Sequence, residues 1–262
     1  MITKYLALMK RSFAQMLEYR AGILIWMLVN VMPLVMLAVW FSLSEGGPIQ
    51  GYTQSDFVAY FLLMTFVRQM TSVWVIHELD YDIRHGNLSI KLLYPLNPIH
   101  SYFTDHLTDK ILRVAVMFPL AIIAWLIFPT IHYDVTPVTL TLFVATLFGA
   151  LVIRFLAQYV FGLFSFWISQ ADTLNEIWYA TSILLGGLVA PLDLLPAPLA
   201  AIAQYLPFRF MLSFPVEVMT GRLSATNLFQ GIAINAGWIV FFFAAYKIVW
   251  RRGIKQFSAF GA

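Results

Sequence analysis

Residues 21–44 read AGILIWMLVNVMPLVMLAVWFSLS, an apolar run that begins after Arg20, ends before Glu45 and holds no charged side chain. A hydrocarbon core of roughly 30 Å is crossed by about 20 apolar residues wound as a helix, so this run is long enough to span a bilayer. The same is true further along, where no charge falls between Arg113 and Asp134 or between Arg222 and Lys247. The pattern reads as an all-α polytopic membrane protein.

Composition agrees. Of the 262 residues 61% are hydrophobic and 11% charged, against about 25% charged in soluble domains. The length gives room for about six spans with their loops but none for a soluble domain of about 100 residues, so any soluble partner is expected on another chain. The net charge of +3 is small and follows the topology below, so it does not point to nucleic acid. Cysteine is absent, which rules out disulfides, thiolate metal sites and cysteine nucleophiles.

The six spans are expected at about Ala21–Leu43, Asp56–His77, Ile111–Phe128, Pro137–Ile168, Asn175–Ala190 and Asn227–Trp250. Ahead of them, residues 1–20 form an amphipathic helix. Ile2, Tyr5, Leu6, Met9, Phe13, Met16 and Leu17 follow helical spacing, with Lys4, Arg11, Gln15 and Glu18 on the other face, which suits a helix lying in the membrane interface. Lys and Arg stay on the cytoplasmic side of short loops. The basic N-terminal helix, the second loop and the tail with Lys247, Arg251, Arg252 and Lys255 therefore place both termini in the cytoplasm. Arg209 and Arg222, on the outer side, run against that pattern.

Two polar or broken segments stand out. Residues 186–222 are interrupted by Pro191, Pro196, Pro198, Pro207 and Pro215, and proline removes a donor and clashes with the preceding turn. Non-helical backbone at membrane depth needs protein or a water-filled cavity around it, so two short re-entrant helices from the outer face are expected, the alternative being a loose outer loop. Residues 78–110 form the long polar segment after the second span. Within Ile83-Arg-His-Gly-Asn-Leu-Ser-Ile-Lys-Leu-Leu-Tyr-Pro95, Gly86 can end one helix, Asn87 can cap the next, and Pro95 ends it. Leu88, Leu92 and Leu93 then share a face that either docks into a groove on a soluble protein or lies on the lipid interface.

Gly86-x-Leu88 followed by Leu92-Leu93-Tyr94-Pro95, just after the second of six spans, resembles the cytoplasmic coupling segment of ABC-2 type ABC exporter permeases. Gly186-Gly187, Pro191-Leu192, Leu195-Pro196 and Leu206-Pro207 before the last span are similar to that family's re-entrant outer helices, and the N-terminal interfacial helix also matches. The resemblance implies one permease domain over residues 1–262, made as a dimer with a like or sister permease around a translocation path. It also implies two copies of a separate ATP-binding subunit and export across the plasma membrane, the inner membrane of a bacterium. Gly86, Asn87, Leu88, Lys91, Leu92, Leu93 and Pro95 would transmit ATP-driven closure, and Pro191, Pro196 and Pro207 would shape the re-entrant helices. Asp80-Tyr81-Asp82 departs from the family's Glu-rich helix end.

No Gly-x-x-x-x-Gly-Lys-Ser/Thr occurs in the chain, so ATP and Mg are expected on the partner and no cofactor in this chain. Arg68 and Arg154 fall near the middle of the second and fourth spans, at a cost of about 2.5–3.5 kcal/mol each on insertion scales. They either line the translocation path or bond to carbonyls, Gln69 or Gln158 within the fold. His77-Glu78 lacks the second histidine of a zinc-protease helix, since position 81 is Tyr. No metal is assigned, and no nucleophile and base are paired, so the chain is not read as an enzyme. Ala233-x-x-x-Gly237 could let helices approach closely, though small residues are common in such helices. The competing classes are an ion-coupled or energy-independent carrier, which lacks midplane acids for a proton relay, and a non-transporting intramembrane assembly subunit.

Overall fold

The computed structural model describes residues 2–18, 22, 25, 27, 31–168 and 171–257. Among them every helix or strand element is a helix: α1 (Ile2–Glu18), α2 (Met32–Leu43), α3 (Gln54–Thr71), α4 (Val75–Arg84), α5 (Leu88–Leu92), α6 (Pro98–Ile127), α7 (Pro137–Leu163), α8 (Ala171–Leu185), α9 (Ala197–Ala203), α10 (Pro207–Met211), α11 (Ser213–Met219) and α12 (Ala225–Gly253).

Local chemistry sets the starts of the long helices. Thr53 accepts from the Asp56 amide and the Asp56 carboxylate accepts from the Thr53 amide, a reciprocal cap that opens α3. Asn97 caps α6 and Thr136 caps α7, each followed directly by a proline, whose missing N–H costs nothing in a first turn. Ser224 caps α12 through the Asn227 amide.

Among the described residues, four helical stretches are long and apolar enough to cross a membrane: 54–84, 98–127, 137–166 and 225–253. Seven of the 23 residues of the first span expected from sequence, Ala21–Leu43, lie outside the described ones. Its described helical remainder, α2, has 12 residues, a length of about 18 Å at 1.5 Å per residue. The fifth expected span shifts toward the N-terminus as α8, whose 15 residues reach about 22 Å.

The polar segment expected over residues 78–110 is mostly helical. Residues 78–84 complete α4, and Asn97-Pro98 starts α6 well before its apolar half. The proline-rich segment holds a 3-10 turn at Leu192–Leu194 and the three short helices α9 to α11, where the sequence suggested two. Pro196 is the N-cap of α9, and Pro207 opens α10.

α7 is the hub, packed by α12, α4, α10, α11, α8 and α3. Lipid is as apolar as leucine, so such packing rests on close van der Waals fit and internal hydrogen bonds. Tyr159, Phe155, Phe210 and Phe214 are fully or almost fully buried in this core. At Gly231 of α12 an added Cβ would run into the Phe214 ring, whereas nothing lies within 4 Å of one built at Gly237. The close helix approach thus uses Gly231, and Ala233-x-x-x-Gly237 plays no part in it. The segment leading into the short helices is strapped down by the Tyr60 hydroxyl donating to Gly187 O (2.8 Å), Trp40 Nε1 to Val189 O (2.8 Å) and Tyr52 to Asp193 (3.0 Å). Burial, and then the Asp193 carboxylate, hold the Tyr52 phenol well above its ordinary pKa.

Arg209 and Arg222, anomalous by charge rule, are both paired. Arg209 bonds Glu217 at 2.6 Å. Arg222 bonds Asp56 at 3.0 Å and lies 3.6 Å over the Tyr52 ring.

Candidate functional site

At the end of the bundle formed by the α4–α5–α6 connection, a cleft of ≈ 860 Å³ opens between α1, α4, α5 and α6. α1 closes one side of it. The Tyr5 hydroxyl meets His100 Nδ1 at 2.9 Å, Arg11 reaches Asp105 at 3.2 Å, and Ser12 also donates to Asp105. This leaves Leu6, Phe13 and Leu17 exposed along the helix, as a helix resting on lipid requires. Arg11, expected on a solvated face, is a tie between helices.

The residues expected to couple to a partner divide into two groups. Gly86 has φ 75°, a left-handed conformation that glycine adopts without strain, and it turns the chain out of α4. Asn87 precedes α5, but its side chain makes no capping bond; the Ser89 hydroxyl donates to Gly86 O instead (2.6 Å). α5 is also shorter than expected, closing at Leu92 ahead of Pro95. Leu88 does not share the exposed face, because it is completely buried in the core. Lys91 is likewise turned inward, bonding Asp82 at 2.6 Å with its ammonium 3.7 Å from the Tyr102 ring centre. What projects is Ile90, Leu92, Leu93 and Tyr94, with Leu93 84% exposed, followed by Pro95.

Asp80 and Asp82, at the departure from the family's Glu-rich helix end, also face inward. Asp80 bonds Arg84 at 2.9 Å and accepts from Ser165, while Asp82 accepts from Tyr102 besides pairing with Lys91. The acidic stretch therefore fastens α4 to its neighbours.

Deeper in, α3 and α4 are separated by a break at residues 72–74, and a polar cluster from α6 fills it. Lys110 donates to the Ser72 carbonyl and bonds Asp109 at 2.9 Å. Arg113 bonds Asp109 and the Gln69 side chain, each at 2.6 Å, and Gln69 donates to Met27 O at 3.0 Å. Lys110 and Arg113 are buried. Sequence reading passed over this cluster. Its signals were Asp109 and Arg113 four residues apart on one helix face, and Asn97-Pro98 as a helix start.

Arg68 and Arg154 are both buried, at 5% and 7% exposure. Arg68 donates to the Tyr179 hydroxyl at 2.5 Å with its guanidinium 5.6 Å from that ring centre. Arg154 makes a long contact of 3.4 Å to Thr71 Oγ1. Neither uses the glutamine suggested by sequence: Gln69 serves Arg113, and Gln158 Oε1 is buried without a hydrogen-bond partner. The two guanidiniums lie within electrostatic reach of each other, on facing turns of α3 and α7. Pro191 and Pro207 are buried and Pro196 is exposed.

Among the described residues no three His, Asp or Glu side chains converge as metal ligands would. The family described as ABC-2 family transporter protein matches residues 24–261, which takes in every element from α2 to α12. Comparison with curated proteins and with solved structures gives no match.

Proposed function

The chain belongs to the ABC-2 transporter family, and from that premise we propose that it is the permease subunit of an ATP-driven exporter. Two permeases, identical or sister chains, form the translocation path in the bacterial inner membrane. Two copies of an ABC ATP-binding subunit, which carry ATP and Mg, energise them. In this reading each permease has six spans, with α2 and α8 belonging to the two that the long helices do not supply, and both termini are cytoplasmic.

The observation that carries the docking part is the apolar tip of α5. Ile90, Leu92, Leu93 and Tyr94 project while Leu88 and Lys91 hold their root to the core. An exposed apolar knob on a fixed base is the geometry by which a short helix engages a groove on a soluble partner. The charged cleft alongside, with Arg11, Glu78, Asp105 and Arg113 on its walls, offers the same partner polar contacts.

Arg154 is the residue proposed for the path. No ion pair joins it to a carboxylate among the described residues, and its hydrogen bond to Thr71 is long, so its charge is under-compensated where compensation matters most. Arg68, bonded to Tyr179, supports it from the facing helix.

The test is purification of the full chain from native membranes with identification of every bound chain. An ABC ATP-binding subunit in stoichiometric amount is expected, and its ATPase rate should change when the permease is removed. A chain that purifies alone and transports under an ion gradient would overturn the proposal in favour of a carrier.

A further inference from the structure

A second groove of ≈ 570 Å³ lies on the other flank of the same end of the bundle, between the close of α7 and the close of α12. Phe164, Trp167, Ile248 and Val249 give it apolar walls, and Arg252 and Lys255 stand at its mouth. No carboxylate lines it.

The contrast with the ion-paired cations of the chain is sharp. Arg11, Arg84, Lys91, Lys110, Arg113, Arg209 and Arg222 each bond a carboxylate. Arg252 and Lys255 are exposed and have no ion-pair partner among the described residues. The groove is also firmly built. At Gly253 an added Cβ would strike the Phe166 ring, so the absent side chain lets α12 press against the turn after α7. Behind it, Phe166 meets Trp167, Trp250 and Phe257 with ring centres about 6 Å apart.

We propose that this groove binds one anionic phospholipid from the leaflet at that end of the bundle. Its phosphate sits between Arg252 and Lys255, and its upper acyl segments run along Ile248, Val249 and Phe164. The placement matches the chemistry at each level. Ile248 lies within the last turns of a membrane-length helix, Trp167 is half-exposed where indole rings favour the interface, and the two cations follow within about two turns beyond. A basic pocket between membrane helices at the polar boundary is complementary to a lipid phosphate. A lipid without a phosphate would leave both cations uncompensated, and a zwitterionic one would bring its own cation beside them. The site is separate from the α5 tip and the charged cleft, and it holds whether or not the chain transports.

Native mass spectrometry of the full chain released from nanodiscs of equal phosphatidylglycerol and phosphatidylcholine content tests it. One phosphatidylglycerol should survive delipidation on the wild type, with no phosphatidylcholine. Arg252→Gln with Lys255→Gln should weaken retention about 30-fold, taking each surface cation as about 1 kcal/mol toward an anionic lipid. Lys247→Gln with Arg251→Gln removes the same charge outside the groove and should leave retention unchanged. Equal loss in both double variants, or equal retention of the two lipids by the wild type, overturns the proposal. A measurement without any variant guards against misfolding: added phosphatidylglycerol should raise the wild-type melting midpoint in detergent and phosphatidylcholine should not, and equal shifts would also overturn it.

Discussion

Lys110 of α6 donates to the main-chain carbonyl of Ser72, the residue at which the helical path from α3 to α4 is broken. A helix end leaves carbonyls without intrahelical partners, and inside a membrane no water replaces them. At the break, Ser72 Oγ donates to Gln69 O and Lys110 to Ser72 O. No proline is needed for the break, because the ammonium stabilises it from a neighbouring helix.

Lys110→Met should therefore destabilise the fold by about 3–5 kcal/mol, since it strands the Ser72 carbonyl and leaves Asp109 with one partner fewer. The melting midpoint in detergent checks this. An unchanged midpoint would mean that the break stands without the lysine.

Gly231→Ala and Gly237→Ala differ by six positions on one helix and should differ in sign. The first forces a methyl into the Phe214 ring, an overpacking that costs about 1–3 kcal/mol. The second meets nothing within 4 Å and should be neutral or add up to about 1 kcal/mol of helix propensity. Parallel thermal melts of the two variants decide the matter.

At α5, Leu88→Ala should cost about 2–5 kcal/mol of stability, as removal of a fully buried leucine does. Leu92→Asp and Leu93→Asp should melt like the wild type but fail to retain the ATP-binding subunit on co-purification, with transport uncoupled from ATP hydrolysis. Normal transport by both aspartate variants would refute docking through this tip.

Orientation is directly accessible because the chain has no cysteine of its own. Leu93→Cys, at a highly exposed position, should resist an impermeant thiol reagent in intact cells and label in inverted vesicles. Glu45→Cys should behave in the opposite way. Labelling of position 93 from outside would reverse the topology.

Arg154→Gln should change stability by less than about 1 kcal/mol, read as a melting midpoint close to wild type, and abolish transport or shift it away from anionic compounds. If it instead lowers stability as Lys110→Met does, Arg154 is a packing residue. Arg68→Gln provides the comparison, since it loses the bond to Tyr179.

The membrane class, the long helices and the family were legible in the chain, because apolar run length and proline placement are local properties. The starts of α6 and α12 also sit on visible signals, in Asn97-Pro98 and Ser224. The partners of charged residues were not legible. The periodicity that put Leu88 beside Leu92 could not reveal that α4 and the rest of the core reach up to cover it. Lys91 was grouped with the coupling residues, and only the fold shows Asp82 and Tyr102 holding it. A bond to Gln158 was one of the roles open to Arg154 from sequence, yet it reaches Thr71 across a helix interface, a contact set by tertiary packing alone.

The fastening of α5 has a mechanical consequence. A handle fixed at two points does not flex at its root. A push on Leu93 passes through Leu88 into the core, and through Lys91, Asp82 and Tyr102 into α4 and α6. α4 transmits it as a strut of ten residues, about 15 Å long. The first cross-section without continuous helical hydrogen bonding is residues 72–74. Bending strain from the tip therefore gathers there, on the same few ångströms of chain that Lys110 holds in place.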